Sequence, residues 1–224
     1  MYAILISQDP DETAVLSLAL QRAGLTLSRM RELPAQLPSD PENPLNLIVL
    51  ATVEGSPLPK VQSLRRQTEV PLVIIAEHLD ESTHMVTLDA GADLVVLRPF
   101  SVRVLIAQVR ALLRRTANLP FFTLPTLTVG EVALDPATRT VVIGQHSPKR
   151  LTQLEFRLLY TLMIHQGQVL PTEVLIEQVW GYTGEGDREL VRGLIRRLRI
   201  KVELEPGQPR YIVTIPGVGY SFAS

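Results

Sequence analysis

The sequence predicts two halves of different architecture: an α/β half built on a parallel sheet, then an α+β half of short strands and three helices. Three observations carry this. Continuous apolar runs alternate with helical stretches through residues 1–115. That alternation stops at NLPFFTLPTLTVG (118–130), which carries two prolines and no helical period. Beyond it, an arginine-rich amphipathic helix precedes a hairpin punctuated by Gly217 and Gly219. The 224 residues suffice for two ordinary domains, expected at 1–115 and 125–224 with a linker at 116–124.

In the first half YAILIS (2–7), LNLIVL (45–50), PLVIIA (71–76) and LVVL (94–97) read as strands. Unbroken apolar runs, without polar alternation, are what strands buried on both faces require. The stretch DPDETAVLSLALQRAG reads as a helix. Asp9 supplies a capping side chain, Pro10 suits the first helical position, Glu12 stands three residues after the cap, and Gly24 marks the stop. Further helices are expected around 61–67, 82–90 and 102–115. Repeated β-α order implies a doubly wound parallel sheet of about five strands. Functional groups in such sheets gather at the carboxyl ends of the strands, here 7–9, 51–55, 76–78 and 98.

In the second half LTVGEVALDPATRTVVIG alternates apolar and polar residues, as antiparallel strands with a turn at Asp135–Pro136 would. Helices are expected at 153–166, 172–179 and 187–202, and YIVTIPGVGYSFA closes the chain as a hairpin. Short strands, three helices and a terminal hairpin describe a winged helix.

The third of these helices carries the main functional signal. Val191, Leu194, Ile195, Leu198 and Val202 form a core stripe, while Arg188, Arg192, Arg196 and Arg199 recur along one flank with Arg197 opposite. A helix of this width fits the DNA major groove, where arginine reads guanine edges or clamps phosphates. The competing reading is a solvated face with intrahelical pairs to Asp187 and Glu189. Gly193 costs about 1 kcal/mol against alanine in mid-helix, which calls for close approach either to a DNA backbone or to a neighbouring helix.

Composition narrows the remaining classes. Hydrophobic content of 46% with 20% charge fits a globular protein, and a net charge of −1 places any nucleic-acid signal in local patterning. The absence of cysteine excludes a disulfide scaffold, thiolate zinc and a thiol nucleophile, and agrees with a cytoplasmic location. No apolar run approaches the ~20 residues of a membrane helix, and MYAILISQDP lacks the features of a signal peptide. His78, His84, His146 and His165 have no metal-binding spacing, and no nucleophile-elbow or phosphate-cradling motif occurs. No metal, cofactor or enzymatic activity is therefore expected.

With these residues in view the whole chain resembles a two-domain bacterial response regulator of the OmpR/PhoB type, a flavodoxin-like receiver followed by a winged-helix DNA-binding domain. The resemblance rests on LTQLEFRLLYTLMIHQGQVL, EQVWG, IRRLR and VTIPGVGYSF in the second half, and on AGADLVVLRPFSVRVLIAQVRALLRR in the first. It implies a phosphotransfer pocket: an acceptor aspartate, an acid pair for Mg²⁺, a hydroxyl, an aromatic and a lysine. Those positions fall here on Ala51, on Gln8 with Asp9, on Ala76, on Val95 and on Arg98. Only Asp9 keeps its family identity, so the receiver is expected to be degenerate and to work without aspartyl phosphorylation. Glu54 lies three residues past the strand and makes a poor substitute acceptor. Arg98 is expected to pair with Asp9 across the rim.

The resemblance further implies homodimerisation through the receiver. Met85, Leu88 and Ala107 fall on apolar interface positions, and Asp93 with Arg115 on an ion pair. Leu94 with Gln108 and His84 with Val104 replace two further pairs, although Leu94 and Val104 have packing within the monomer as an alternative. In the DNA-binding half the family's wing arginine corresponds to Pro216, a second basic position to Ser221 and a phosphate-binding residue to Leu190. Double-stranded DNA is thus expected to meet Arg192, Gly193, Arg196, Arg197 and Arg199, with little help from the wing. The loop EQVWGYTGEGD is where such regulators touch RNA polymerase, with Trp180 serving as its core anchor. The alternatives are a protein–protein adaptor or a ligand sensor with weak or lost DNA binding.

Overall fold

The computed structural model describes residues 1–40, 43–52, 55–117, 125–182 and 188–223, and for 115–117 the backbone alone. Two compact units emerge, Met1–Arg114 and Arg115–Ser224. The expected linker falls mostly on 118–124, outside the described residues.

The first unit runs β1 (Tyr2–Ile6), α1 (Pro10–Arg22), β2 (Thr26–Met30), β3 (Leu45–Ala51), α2 (Leu58–Arg65), β4 (Leu72–Ala76), α3 (Glu81–Asp89), β5 (Leu94–Leu97) and α4 (Val102–Ala117). Its five strands are all parallel, in the order β2-β1-β3-β4-β5. Most of β1, β3 and β4 is buried, as their unbroken apolar runs require, while edge strand β2 is half exposed. Thr26–Met30 (TLSRM) carries too little apolar signal to be read as a strand; its pairing with β1 alone creates it. Asp9 caps α1 through Oδ1, which accepts from the Asp11 and Glu12 amides at 2.8 and 3.1 Å.

Between β2 and β3 no described residue is helical. Pro34, Pro38, Pro41 and Pro44 stud this crossover, and proline inside a helix removes a hydrogen bond and clashes with the preceding turn. The Leu37 amide instead donates to Gln67 Oε1 at 2.8 Å, tying the crossover to the end of α2.

The second unit opens with an antiparallel sheet of β6 (Leu127–Val129), β7 (Val132–Asp135), β8 (Thr140–Ile143) and β9 (Lys149–Arg150). The expected turn lies between β7 and β8, where Asp135 accepts from the Ala137 amide and Thr138 hydroxyl. Then come α5 (Gln153–Ile164), β10 (Val169–Pro171), α6 (Thr172–Val179), α7 (Arg188–Val202), β11 (Ile212–Ile215) and β12 (Gly219–Phe222). A capping box starts α5: Thr152 Oγ1 accepts from the Glu155 amide, and Glu155 accepts from the Thr152 amide. Strands β10, β12 and β11 form a second antiparallel sheet with β12 in the middle. Gly219 is required there, because a Cβ would lie 2.0 Å from the Leu170 carbonyl oxygen. Helices α5, α6 and α7 pack on one another around Phe156, Leu158, Leu175, Leu194 and Trp180. Trp180 is buried at the C-terminal end of α6.

Candidate functional site

Helix α7 sorts its arginines into different roles. Val191, Leu194, Ile195, Leu198 and Val202 are buried, as their period demands. Arg188, Arg192 and Arg196 lie on the exposed side. Arg197 does not join them: it is buried, its charge directed at the carboxylate of Glu155. Leu190 and Gly193 are buried with it, so this side of α7 is a second packing face. Gly193 is buried within the unit, on the packed side of the helix. Arg199 is half-buried, donating from Nε and Nη2 to the Ile212 carbonyl at 3.0 and 2.7 Å and from Nη2 to Thr214 Oγ1 at 2.7 Å. It pins the hairpin to α7.

Two exposed arginines meet acids. Arg192 Nη1 donates to Glu189 Oε1 at 2.6 Å, and Arg188 Nη2 to Glu173 Oε1 at 3.3 Å. Arg188 and Arg192 line a groove with Thr172 at the start of α6 and with Thr214, Pro216 and Tyr220 of the hairpin. A second concavity, behind Arg192, is lined by Arg196, Arg199, Ile200, Pro206 and Tyr220. The wing tip of Pro216, Gly217 and Val218 is exposed and uncharged. Asp187 and residues 183–186 lie outside the described residues.

The inward side of α7 rests on Glu155, which accepts from Lys201 Nζ at 2.7 Å while Lys201 also reaches the Arg150 carbonyl. Burial pushes the Glu155 carboxyl up, but Arg197, Lys201 and the Thr152 amide more than offset it and hold it below the usual range. Buried Glu203 accepts from the Arg210, Tyr211 and Ile212 amides at 2.7–3.2 Å, fixing the chain as it enters β11.

At the carboxyl rim of the first unit, Ala51 ends β3 and Ala76 ends β4; both are buried, and Val95 is half-buried in β5. Gln8 is exposed and Asp9 is the α1 cap. The expected Arg98–Asp9 pair does not form. Arg98 instead donates Nε and Nη2 to the two oxygens of Glu12, at 2.6 and 2.7 Å, and Nη1 to the Thr52 carbonyl at 2.9 Å. The reason is geometric: Asp9 is short and its Oδ1 is committed to backbone amides, whereas Glu12, one turn on, is long enough to meet the guanidinium with both oxygens. Glu54 lies outside the described residues.

The dimer positions divide too. Met85, Val104 and Ala107 are exposed, with Val86 beside Met85 also exposed, and His84 and Gln108 are half-buried. Leu88 and Leu94 belong to the unit's own core. Asp93 is buried, its Oδ2 accepting from Arg65 Nη2 at 2.5 Å and from the Leu72 amide at 2.9 Å. Arg65 also donates to the Gly91, Thr68 and Val70 carbonyls, locking the ends of α2 and α3 to the starts of β4 and β5. The Arg115 side chain lies outside the described residues.

Sequence reasoning missed Glu12, Arg65 and Tyr220. Glu12 carried a helix-start signal that masked its ion pairing, Arg65 sat in an ordinary helix end, and Tyr220 looked like hairpin filler. Among the described residues no group of three or more His, Asp or Glu is arranged to hold a metal ion. No described helix is long and apolar enough to cross a membrane.

Comparison with known proteins agrees with both halves. The family model "Transcriptional regulatory protein, C terminal" matches residues 146–222. The DNA-binding response regulator MtrA of Mycolicibacterium smegmatis is 34% identical over 228 residues, covering 97% of this chain and 94% of that protein. MtrA of Mycobacterium leprae is 35% identical over 221 residues, covering 98% and 91%. Two solved structures of cysteine-substituted RitR share the fold, with TM-scores of 0.73 and 0.72 at 25% and 24% identity, each covering 99% of this chain and 98% of theirs. With a five-stranded parallel receiver sheet followed in sequence by a winged helix, and relatives this similar along nearly its whole length, the chain belongs to the OmpR/PhoB-type family of DNA-binding response regulators.

Proposed function

We propose that this protein is a sequence-specific transcriptional regulator whose receiver works without aspartyl phosphorylation and serves as a dimerisation module. The observation that carries the DNA-binding part is the exposed face of α7, where Arg188 and Arg192 line the hairpin groove and Arg196 lines the adjoining concavity. In this reading α7 enters the major groove, Arg192 and Arg196 reach base edges, and Arg188 contacts phosphate. Arg199 and Arg197 act indirectly, the first by holding the hairpin and the second by packing α7. The uncharged wing tip leaves the minor groove largely unread.

Phosphorylation independence is supported by the rim. The Ala51 methyl has no lone pair with which to attack a phosphoryl group. The Asp9 carboxylate caps a helix, and the Arg98 fork is already matched by Glu12 and Thr52. A single committed carboxylate beside Gln8 is a weak Mg²⁺ ligand set. The dimerisation reading is supported by Met85, Val86 and Val104, which are 36%, 44% and 54% exposed on α3 and α4. Their burial in a second copy removes apolar surface that has no cover within the unit. Contact with RNA polymerase through the loop after Trp180, residence in the cytoplasm and the absence of enzymatic activity complete the proposal.

The uncharged wing tip favours one competing reading, an adaptor that uses the winged helix as a protein-docking surface. The test is to measure self-association and DNA affinity with and without Mg²⁺ and acetyl phosphate. Unchanged values are expected; donor-dependent dimerisation or tighter DNA binding contradicts the proposal.

A further inference from the structure

The α7 surface carries an acid among its arginines. Glu189 occupies the first turn of the helix, one turn before Arg192, and accepts from Arg192 Nη1 at 2.6 Å. As an exposed i,i+3 pair it contributes little to stability. As a negative charge on a face that meets a polyanion, it weakens phosphate-driven affinity. Both effects argue against the carboxylate, so its presence calls for a role in placing Arg192.

The rest of the arginine's surroundings agree. Tyr220 lines the concavities on both sides of Arg192. Burial pushes the Tyr220 hydroxyl up and Glu189 adds to this, while the Arg192 and Arg199 charges and a hydrogen bond to Arg192 pull the other way. Tyr220 is rigidly mounted: it is buried, it sits in the middle strand of its sheet, and Gly219 before it presses against the Leu170 carbonyl. Arg192 thus stands between a carboxylate on its own helix and a fixed phenol on the hairpin. Glu189 engages Nη1 and the Tyr220 hydroxyl takes a further contact, and the five N–H donors of a guanidinium leave others to meet a guanine edge.

We infer that Glu189 is a positioning residue for DNA readout, orienting the Arg192 guanidinium against Tyr220 so that it selects guanine at one position of each half-site. This rests on the DNA-binding reading above. Its cost is nonspecific affinity, and its gain is discrimination. A purely structural alternative exists, since an acid in the first turn also favours the helix dipole; that role changes melting but leaves base preference alone.

The experiment uses the full-length protein. A random-sequence duplex library first identifies the preferred site with the wild-type chain. Kd is then measured at fixed salt for that site and for every single base-pair variant, with wild type, Glu189→Ala, Glu189→Gln, Arg192→Ala and the Glu189→Ala/Arg192→Ala double variant. The expected result is that Glu189→Ala binds unrelated sequences as tightly as wild type or more so. It should lose about tenfold in discrimination at one guanine, the same one that Arg192→Ala ceases to read. Glu189→Gln, which keeps an acceptor, should retain part of that discrimination, and Glu189→Ala should add nothing at that base in the Arg192→Ala background. A uniform rise in affinity with an unchanged base profile overturns the inference while leaving the DNA-binding reading intact. A wild-type chain that selects no sequence overturns both.

Discussion

Arg98 and Asp93 show how much of this receiver's behaviour is decided by single side chains. Arg98 joins the start of α1 to the ends of β3 and β5 through Glu12 and the Thr52 carbonyl, with both charged groups mostly buried. Glu12→Ala leaves that guanidinium without its carboxylate and is expected to cost about 2 kcal/mol, read as a lower urea midpoint with an unchanged slope. Asp93→Ala breaks a more deeply buried pair and is expected to cost about 3–5 kcal/mol. The sequence made the identity of the rim residues legible, Ala51 above all, but not their partners. Distance along the chain carries no information on whether Arg98 meets residue 9 or residue 12. Side-chain length and the prior claim of the α1 amides on Asp9 decide that.

Among the elements, α7 is the one whose sequence said most and still misled. Its core stripe and exposed arginines follow from the helical period. Arg197 does not, because α7 packs on α5 and α6 as well as on β8 and so has a second buried face. Leu190 and Gly193, on the same side as Arg197, were the available signal. Arg192→Ala is therefore expected to weaken binding to the selected site by about 1–3 kcal/mol while leaving the fold intact. Arg197→Ala should lower the stability of the winged helix first, seen in its melting temperature. Beneath it lies Glu155, whose folded value is held below that of the unfolded chain. Its stabilising contribution is complete above the ordinary glutamate range and is lost as pH falls through the lowered folded value. Acid titration of the 115–224 fragment should show that loss, and Glu155→Gln should flatten it. Among the strands, β3, β4 and β5 were legible from their apolar runs. Edge strand β2 was not, since five mostly polar residues become a strand only by pairing with β1.

For the whole chain, the proposed function joins a receiver working without a phosphoryl group to a winged helix reading DNA through one helix face. The division into two units and the identity of each were legible, because parallel-sheet and winged-helix patterns differ in period and in turn chemistry. Of the positions proposed for a dimer surface, Met85, Val104 and Ala107 are exposed, while Leu88, Leu94 and Asp93 are buried within the unit. Replacing Met85 and Val104 together by lysine is accordingly expected to yield a monomer of wild-type stability by sedimentation. The most direct test of the central claim is DNA selection with purified, untreated full-length protein at near-physiological salt, run beside the 122–224 fragment. The account predicts enrichment of a repeated half-site, bound more tightly by the full-length chain than by the fragment without any phosphodonor. No enrichment by either protein, or equal binding by both, would contradict it.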